Sequence, residues 1–147
     1  MGARSTAREA ALQMLYGIEA TGASVEQAIV DYWRETPGDA EGKTYADELV
    51  RGVTSELARL DERLRAASKN WRLERMTRVD RNVLRIGAWE LVNRLEVPRA
   101  VCLDEAVELA KRFGTDESGA FVNGVLDRVA DDLGRIDEPM PGMDSSG

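Results

Sequence analysis

The chain has 147 residues, 43% of them apolar and 32% charged, with 27 carboxylates against 20 lysines and arginines for a formal net charge of −7. That length and balance suit one soluble domain able to bury its own core. With no histidine and a single cysteine, Cys102, internal disulfides, histidine-dependent nucleophilic triads and most zinc sites are excluded.

Phe, Trp and Tyr make up only 5% of the chain, and Ala, Leu, Glu and Arg dominate, which favours helix almost throughout. The first predicted helix runs from about Arg4 to Ala20. Ala7, Ala11, Met14, Leu15 and Ile18 form its apolar stripe, and Thr21-Gly22 ends it. Ser24-Val25-Glu26-Gln27 reads as a capping box opening a second helix that stops near Trp33. Pro37-Gly38-Asp39 and Gly42 mark a loop. From about Lys43 a long helical region presents Tyr45, Leu49, Val53, Leu57, Leu60 and Leu64, with Gly52 placed to kink or split it. The next helix spans about Arg75 to Leu95 and ends before Val97-Pro98. Another carries Cys102, Ala106, Leu109 and Phe113 and stops at Gly114, read as a left-handed cap. Thr115 or Asp116 caps the last, whose stripe is Val122, Val125, Val129 and Leu133. Asn123-Gly124 lies between helical rather than alternating patterns, so Gly124 is expected to admit a close neighbouring helix instead of a hairpin. The segment from Pro139 to Gly147 has no periodicity and is expected to be a disordered tail. The sum is an all-α compact bundle of six to seven helices within residues 1–138.

No stretch reaches the roughly 20 apolar residues of a membrane span. Met1-Gly2-Ala3-Arg4-Ser5 lacks the apolar segment of a secretory signal. The expectation is a cytoplasmic protein with no membrane contact. No carboxylate cluster accompanies a phosphate-cradling loop, and no nucleophile sits beside a base, so no enzymatic activity, cofactor or metal is expected.

One region departs from the acidic average. Residues 72–85 hold five arginines, Arg72, Arg75, Arg78, Arg81 and Arg85, against two acids, Glu74 and Asp80. On a helix from Arg75 onward, four of these fall on one side, while Met76, Val79, Val83 and Ile86 fall on the other. Residues 1–8 add Arg4, Arg8 and the terminal amine. If the first helix packs near the arginine helix, the groups merge into a small basic surface suited to a short single-stranded RNA. Phe121 stands at the edge of its helix's apolar stripe, either as partial core or as a base-stacking platform. Tyr16 lies off the centre of its helix's apolar stripe and Asp80 interrupts the arginine series; together they offer a polar, aromatic docking patch for another protein. Cys102 reads as a small buried side chain, and Glu90, inside an apolar face, requires an internal partner.

Five segments, taken together, resemble a known family. They are Ala7-Arg-Glu-Ala-Ala-Leu-Gln-Met-Leu-Tyr16, Val79-Asp-Arg-Asn-Val-Leu-Arg-Ile-Gly-Ala-Trp-Glu-Leu91, Val97-Pro98, Asp104-Glu-Ala-Val-Glu-Leu-Ala-Lys111-Arg-Phe-Gly114 and Phe121-Val-Asn-Gly-Val-Leu-Asp127. In order and spacing, across about residues 4–133, they are similar to the NusB family of transcription antitermination factors. The resemblance implies two packed helical halves and binding of boxA RNA together with NusE, a small-subunit ribosomal protein. It also implies assembly with other Nus factors and RNA polymerase during ribosomal RNA transcription. Carried over by position, Arg8 matches a basic RNA-contacting residue of the N-terminal arm, in which Arg4 is the other cation. Arg81 and Arg85 match basic positions beside the RNA, Glu117 an acidic position near it, and Phe121 an aromatic that meets a base. Tyr16 and Asp80 match the NusE-facing surface. Ser5 and Thr6 stand where some members carry further arginines, which implies weak RNA affinity without the partner. The alternative reading is a homodimeric protein-interaction module that does not bind RNA directly.

Overall fold

The structure, a computed structural model, describes residues 2–69 and 71–136. Seven α-helices account for almost all of them: α1 (Ala3–Thr21), α2 (Val25–Glu35), α3 (Ala40–Ser55), α4 (Leu57–Ala67), α5 (Arg78–Asn93), α6 (Arg99–Phe113) and α7 (Ser118–Asp132). A short 3-10 turn at Leu73–Arg75 lies between α4 and α5, and no strand occurs among the described residues. The all-α architecture expected from the periodicity is the one observed. The expected tail, Pro139 to Gly147, falls outside the described residues.

Local chemistry sets most boundaries. Gly22 ends α1 in the left-handed region at φ 75°. Ser24 Oγ accepts from the Gln27 amide at 3.1 Å, Asp39 Oδ1 from Gly42 at 2.6 Å and Thr77 Oγ1 from Asp80 at 3.1 Å, so α2, α3 and α5 each open on a side-chain cap. Gln27 does not close a capping box, because its amide donates to Asp31 instead.

Four expectations are corrected. The long region from Lys43 breaks at Glu56 rather than at Gly52. Three successive steps of four from Tyr45 to Leu57 rotate the stripe by about 120°, so Leu57 leaves the core side and is exposed while α4 restarts the pattern. Gly52 serves a close approach: a Cβ there would meet Trp89 Nε1 at 2.3 Å. Gly114 is extended (φ −104°, ψ −153°), not left-handed; what demands glycine is crowding, with Ser118 Oγ at 2.4 Å and the Ala110 carbonyl at 2.8 Å from a built Cβ. Gly124 faces open space, and the close packing expected of it occurs at Gly87, where a Cβ would meet Leu126 at 2.5 Å. Neither Thr115 nor Asp116 caps α7; Ser118 Oγ instead accepts from the Thr115 amide at 2.9 Å.

Helices α1 to α3 form one half and α4 to α7 the other, with α5 packed against α1, α3, α4, α6 and α7. Leu49, Val53, Leu60, Leu64, Val83, Leu84, Ile86, Leu91 and Leu126 are almost fully enclosed in the one core that both halves share. Cys102 is buried as expected. So is Glu90, whose partners are Arg8, at 2.9 and 3.0 Å, and the Tyr45 hydroxyl. No helix among the described residues is long and apolar enough to cross a membrane.

Candidate nucleic-acid interface

Helices α1 and α5 run antiparallel, since Arg8 pairs with Glu90 and Glu19 with Arg81. This register decides the fate of the expected basic surface. The end of α1 that meets the arginines of α5 is its C-terminal end, carrying Tyr16 and Glu19. Arg4 lies roughly 22 Å away along α1 by the helical rise. There it sits 4.5 Å above the Tyr45 ring and 3.7 Å from Glu96. The two basic groups therefore do not merge.

Arg8, expected at the RNA, lies in an internal pair with Glu90. It is only 4% exposed, and beyond Glu90 it donates to Glu105 at 2.7 Å. The cationic side of α5 forms an ion-paired seam with Glu19 and Asp61. Arg81 donates to Glu19 at 3.1 Å and, through Nη1, to the carbonyls of Met76 at 2.8 Å and Leu73 at 3.3 Å. Arg85 forms a two-pronged pair with Asp61 at 2.8 and 2.9 Å and reaches Glu19 at 3.1 Å. Their side chains retain 15% and 12% exposure. Burial pushes the Glu19 carboxyl up, but the hydrogen bonds and charge of Arg81 and Arg85 outweigh it and hold the group below the usual carboxylate range. Arg78, more exposed, completes the cluster at 3.4 Å from Glu19 and lies 5.8 Å from the Tyr16 ring centre. Tyr16 itself is 43% exposed. The sequence shows these charges but not their partners, because Glu19 is 62 residues from Arg81.

The groups that do share an open surface surround Phe121. Its ring is half-buried and packs against the core on one side. The other side lines a groove of about 250 Å³ together with Trp71, Arg75, Asp80 and Glu117. The α5 cap explains Arg75: because Thr77 starts the helix two residues later, Arg75 stays in the 3-10 turn and lines this groove instead of joining Arg78, Arg81 and Arg85. Asp80 Oδ1 is enclosed without a hydrogen-bond donor among the described residues, an acceptor still to be satisfied. An aromatic face, two carboxylates and a guanidinium in one groove can stack a base, accept from its amino groups and hold a phosphate. Of the expected residues, Phe121, Glu117 and Asp80 are brought together here; Tyr16 flanks the same end of α5 through Arg78. Arg75, one of the five clustered arginines, and Trp71, which no sequence motif points to, complete the wall. The signal for Trp71 was a large ring in the polar run Lys69-Asn-Trp-Arg72, outside any helical stripe.

The NusB family model matches residues 5–131. The chain is 71% identical over 137 residues to the transcription antitermination protein NusB of Sorangium cellulosum, covering 93% of this chain and 98% of that one. The chain belongs to the NusB family. The NusB protein of Myxococcus xanthus is 49% identical over 134 residues, covering 88% and 96% of the two chains. Among solved structures, T. maritima NusB superposes with a TM-score of 0.81 at 38% identity, over 87% of this chain and 90% of that one. A complex of the antitermination factors NusB and NusE with double-stranded RNA gives 0.82 at 25% identity, over 90% and 98%. The two-halved helical bundle built around α5 is thus the NusB fold.

Proposed function

We propose that this NusB-family chain acts in transcription antitermination, binding boxA-type single-stranded RNA together with NusE in support of processive ribosomal RNA transcription. Other Nus factors and RNA polymerase join the complex. Support for the partners comes from the solved relative that holds NusE and RNA. The observation that carries the reading is the half-exposed Phe121 ring in one groove with Asp80, Glu117 and Arg75. In this mechanism Phe121 stacks on a base, and Glu117 accepts from exocyclic amino groups. Arg75 holds a phosphate, while Tyr16 and Asp80 face NusE. Arg81 acts by holding the groove wall through the Met76 and Leu73 carbonyls, and Arg85 by bracing Glu19 and Asp61 behind it. RNA and NusE bind cooperatively because each completes part of the other's surface.

Phe121→Ala, titrated with boxA RNA in the presence of NusE, is expected to lose about 1–3 kcal/mol of affinity, the worth of one stacked base. Unchanged affinity removes the groove as the RNA site. Light scattering with and without RNA separates this reading from a homodimer that ignores RNA.

A further inference from the structure

Residues 59–81 contain eight lysines and arginines against four carboxylates, a local excess of positive charge in a chain of net −7. Most of the partnered cations face inward or toward a fixed acid. Arg78 and Arg81 meet Glu19, and Arg65 meets Glu74, the sole carboxylate between Ser68 and Thr77, at 2.8 Å. Lys69, Arg72 and Arg75, like Arg59 and Arg63 on α4, are exposed and have no carboxylate within 4 Å among the described residues, but only these three flank an exposed aromatic ring. Among them stands Trp71, 52% exposed, whereas Trp89 is 6% exposed in the core.

We propose that the connector between α4 and α5 is a second contact for single-stranded RNA. Trp71 stacks on a base beyond the Phe121 groove, and Lys69, Arg72 and Arg75 hold the flanking phosphates. This rests on the function proposed above and extends its footprint beyond the Phe121 groove to Lys69, Trp71 and Arg72.

Three observations support it. Trp71 and Arg75 line both the Phe121 groove and a larger, more open groove of about 780 Å³ that also involves Lys69 and Arg72, so the connector forms a ridge between them. A strand leaving one groove crosses that ridge into the other. The part of the ridge after Arg72 is anchored to the body of the protein. Leu73 and Met76 are buried, and Arg81 donates to both of their carbonyls, so the backbone there is already ordered before binding. Finally, an exposed ring flanked by unpaired cations is the pairing a single strand needs, since its bases offer free faces at every step and its backbone offers regular negative charge. A duplex hides those faces.

The test compares the full chain with Trp71→Ala, Trp71→Phe, Lys69→Gln/Arg72→Gln and Phe121→Ala, each checked for an unchanged thermal melt. The probes, with NusE present, are a short boxA oligonucleotide and the same oligonucleotide extended by uridines at either end. On the extended probe, Trp71→Ala is expected to lose roughly 5- to 150-fold in affinity and Trp71→Phe much less, because a phenyl ring still stacks. Lys69→Gln/Arg72→Gln is expected to shallow the log–log salt slope by about 1.4, near 0.7 for each single-strand phosphate contact. The short probe is affected less by both. Unchanged affinity and slope on the extended probe, while Phe121→Ala still weakens binding, overturns the connector site and leaves the proposed function standing. No effect of Phe121→Ala sinks the latter. If Trp71→Ala instead weakens NusE binding without RNA and leaves the salt slope intact, the ridge is a protein contact and the proposal is also overturned.

Discussion

Replacing Arg8 by alanine tests the main reassignment made by the structure. The guanidinium donates to both carboxylate oxygens of Glu90, at 2.9 and 3.0 Å, and to Glu105 at 2.7 Å, with the Arg8 and Glu90 side chains 5% and 1% exposed. Removing one member of such a pair strands the other charge away from water, which costs about 3–5 kcal/mol. Glu90 keeps the Tyr45 hydroxyl as a donor, so the loss should fall near the lower end, about 3 kcal/mol. For a chain of this size that lowers Tm by about 6–12 °C. Urea or thermal unfolding measures the loss, and RNA titration under conditions where the variant stays folded should show wild-type affinity. The double variant Arg8→Met/Glu90→Leu should regain most of the stability, because the stranded charge is gone. A fully stable Arg8→Ala protein that binds RNA weakly would refute the buried-pair assignment and return Arg8 to the binding surface.

Gly52→Ala and Gly124→Ala should differ in sign. The first drives a methyl into Trp89, which is itself tied to Glu56 at 3.0 Å, and should destabilise by about 1–3 kcal/mol despite alanine's better helix propensity; the second, facing open space within α7, should stabilise by about 0.5–1 kcal/mol. Paired urea titrations decide both. Glu19 is held below its ordinary 4.5, so its contribution is present above the unfolded pKa and lost as pH falls through the folded value. Glu19→Gln should therefore be less stable than wild type near neutrality, with the gap closing as pH drops from near 4.5; a constant gap contradicts the pairing with Arg81 and Arg85. Burial, followed by the charge of Glu90, pushes the Cys102 thiol up to about 11. At pH 8 the native protein should resist a thiol-specific reagent and react only as it unfolds, whereas rapid native-state labelling would show the thiol to be accessible.

The helices and most of their caps were legible because their causes are local: a stripe repeats every three to four residues, and Ser24 or Thr77 needs only the amide three positions on. The misplaced boundaries share a cause with the misread arginines. Placing α5 at Arg75 rather than Arg78 kept Arg75 in the wrong row, and only the Thr77 cap together with the buried Met76 moves it into the Phe121 groove. The edge position of Phe121 on its stripe was legible for the same local reason, but that position left partial core and base-stacking platform both open, and only the fold shows the ring half-buried at a groove.

The sequence by itself determined the helical content, the apolar faces, the lack of histidine chemistry and the concentration of arginines before and along α5. Tertiary structure alone decided which of those arginines remain available. Charge pairing depends on distance in space, and the antiparallel packing of α1 on α5 brings Glu19 to Arg81 and Arg8 to Glu90 across 62 and 82 residues of chain. Composition records that charges are present; the fold determines which of them neutralise one another and which still face solvent.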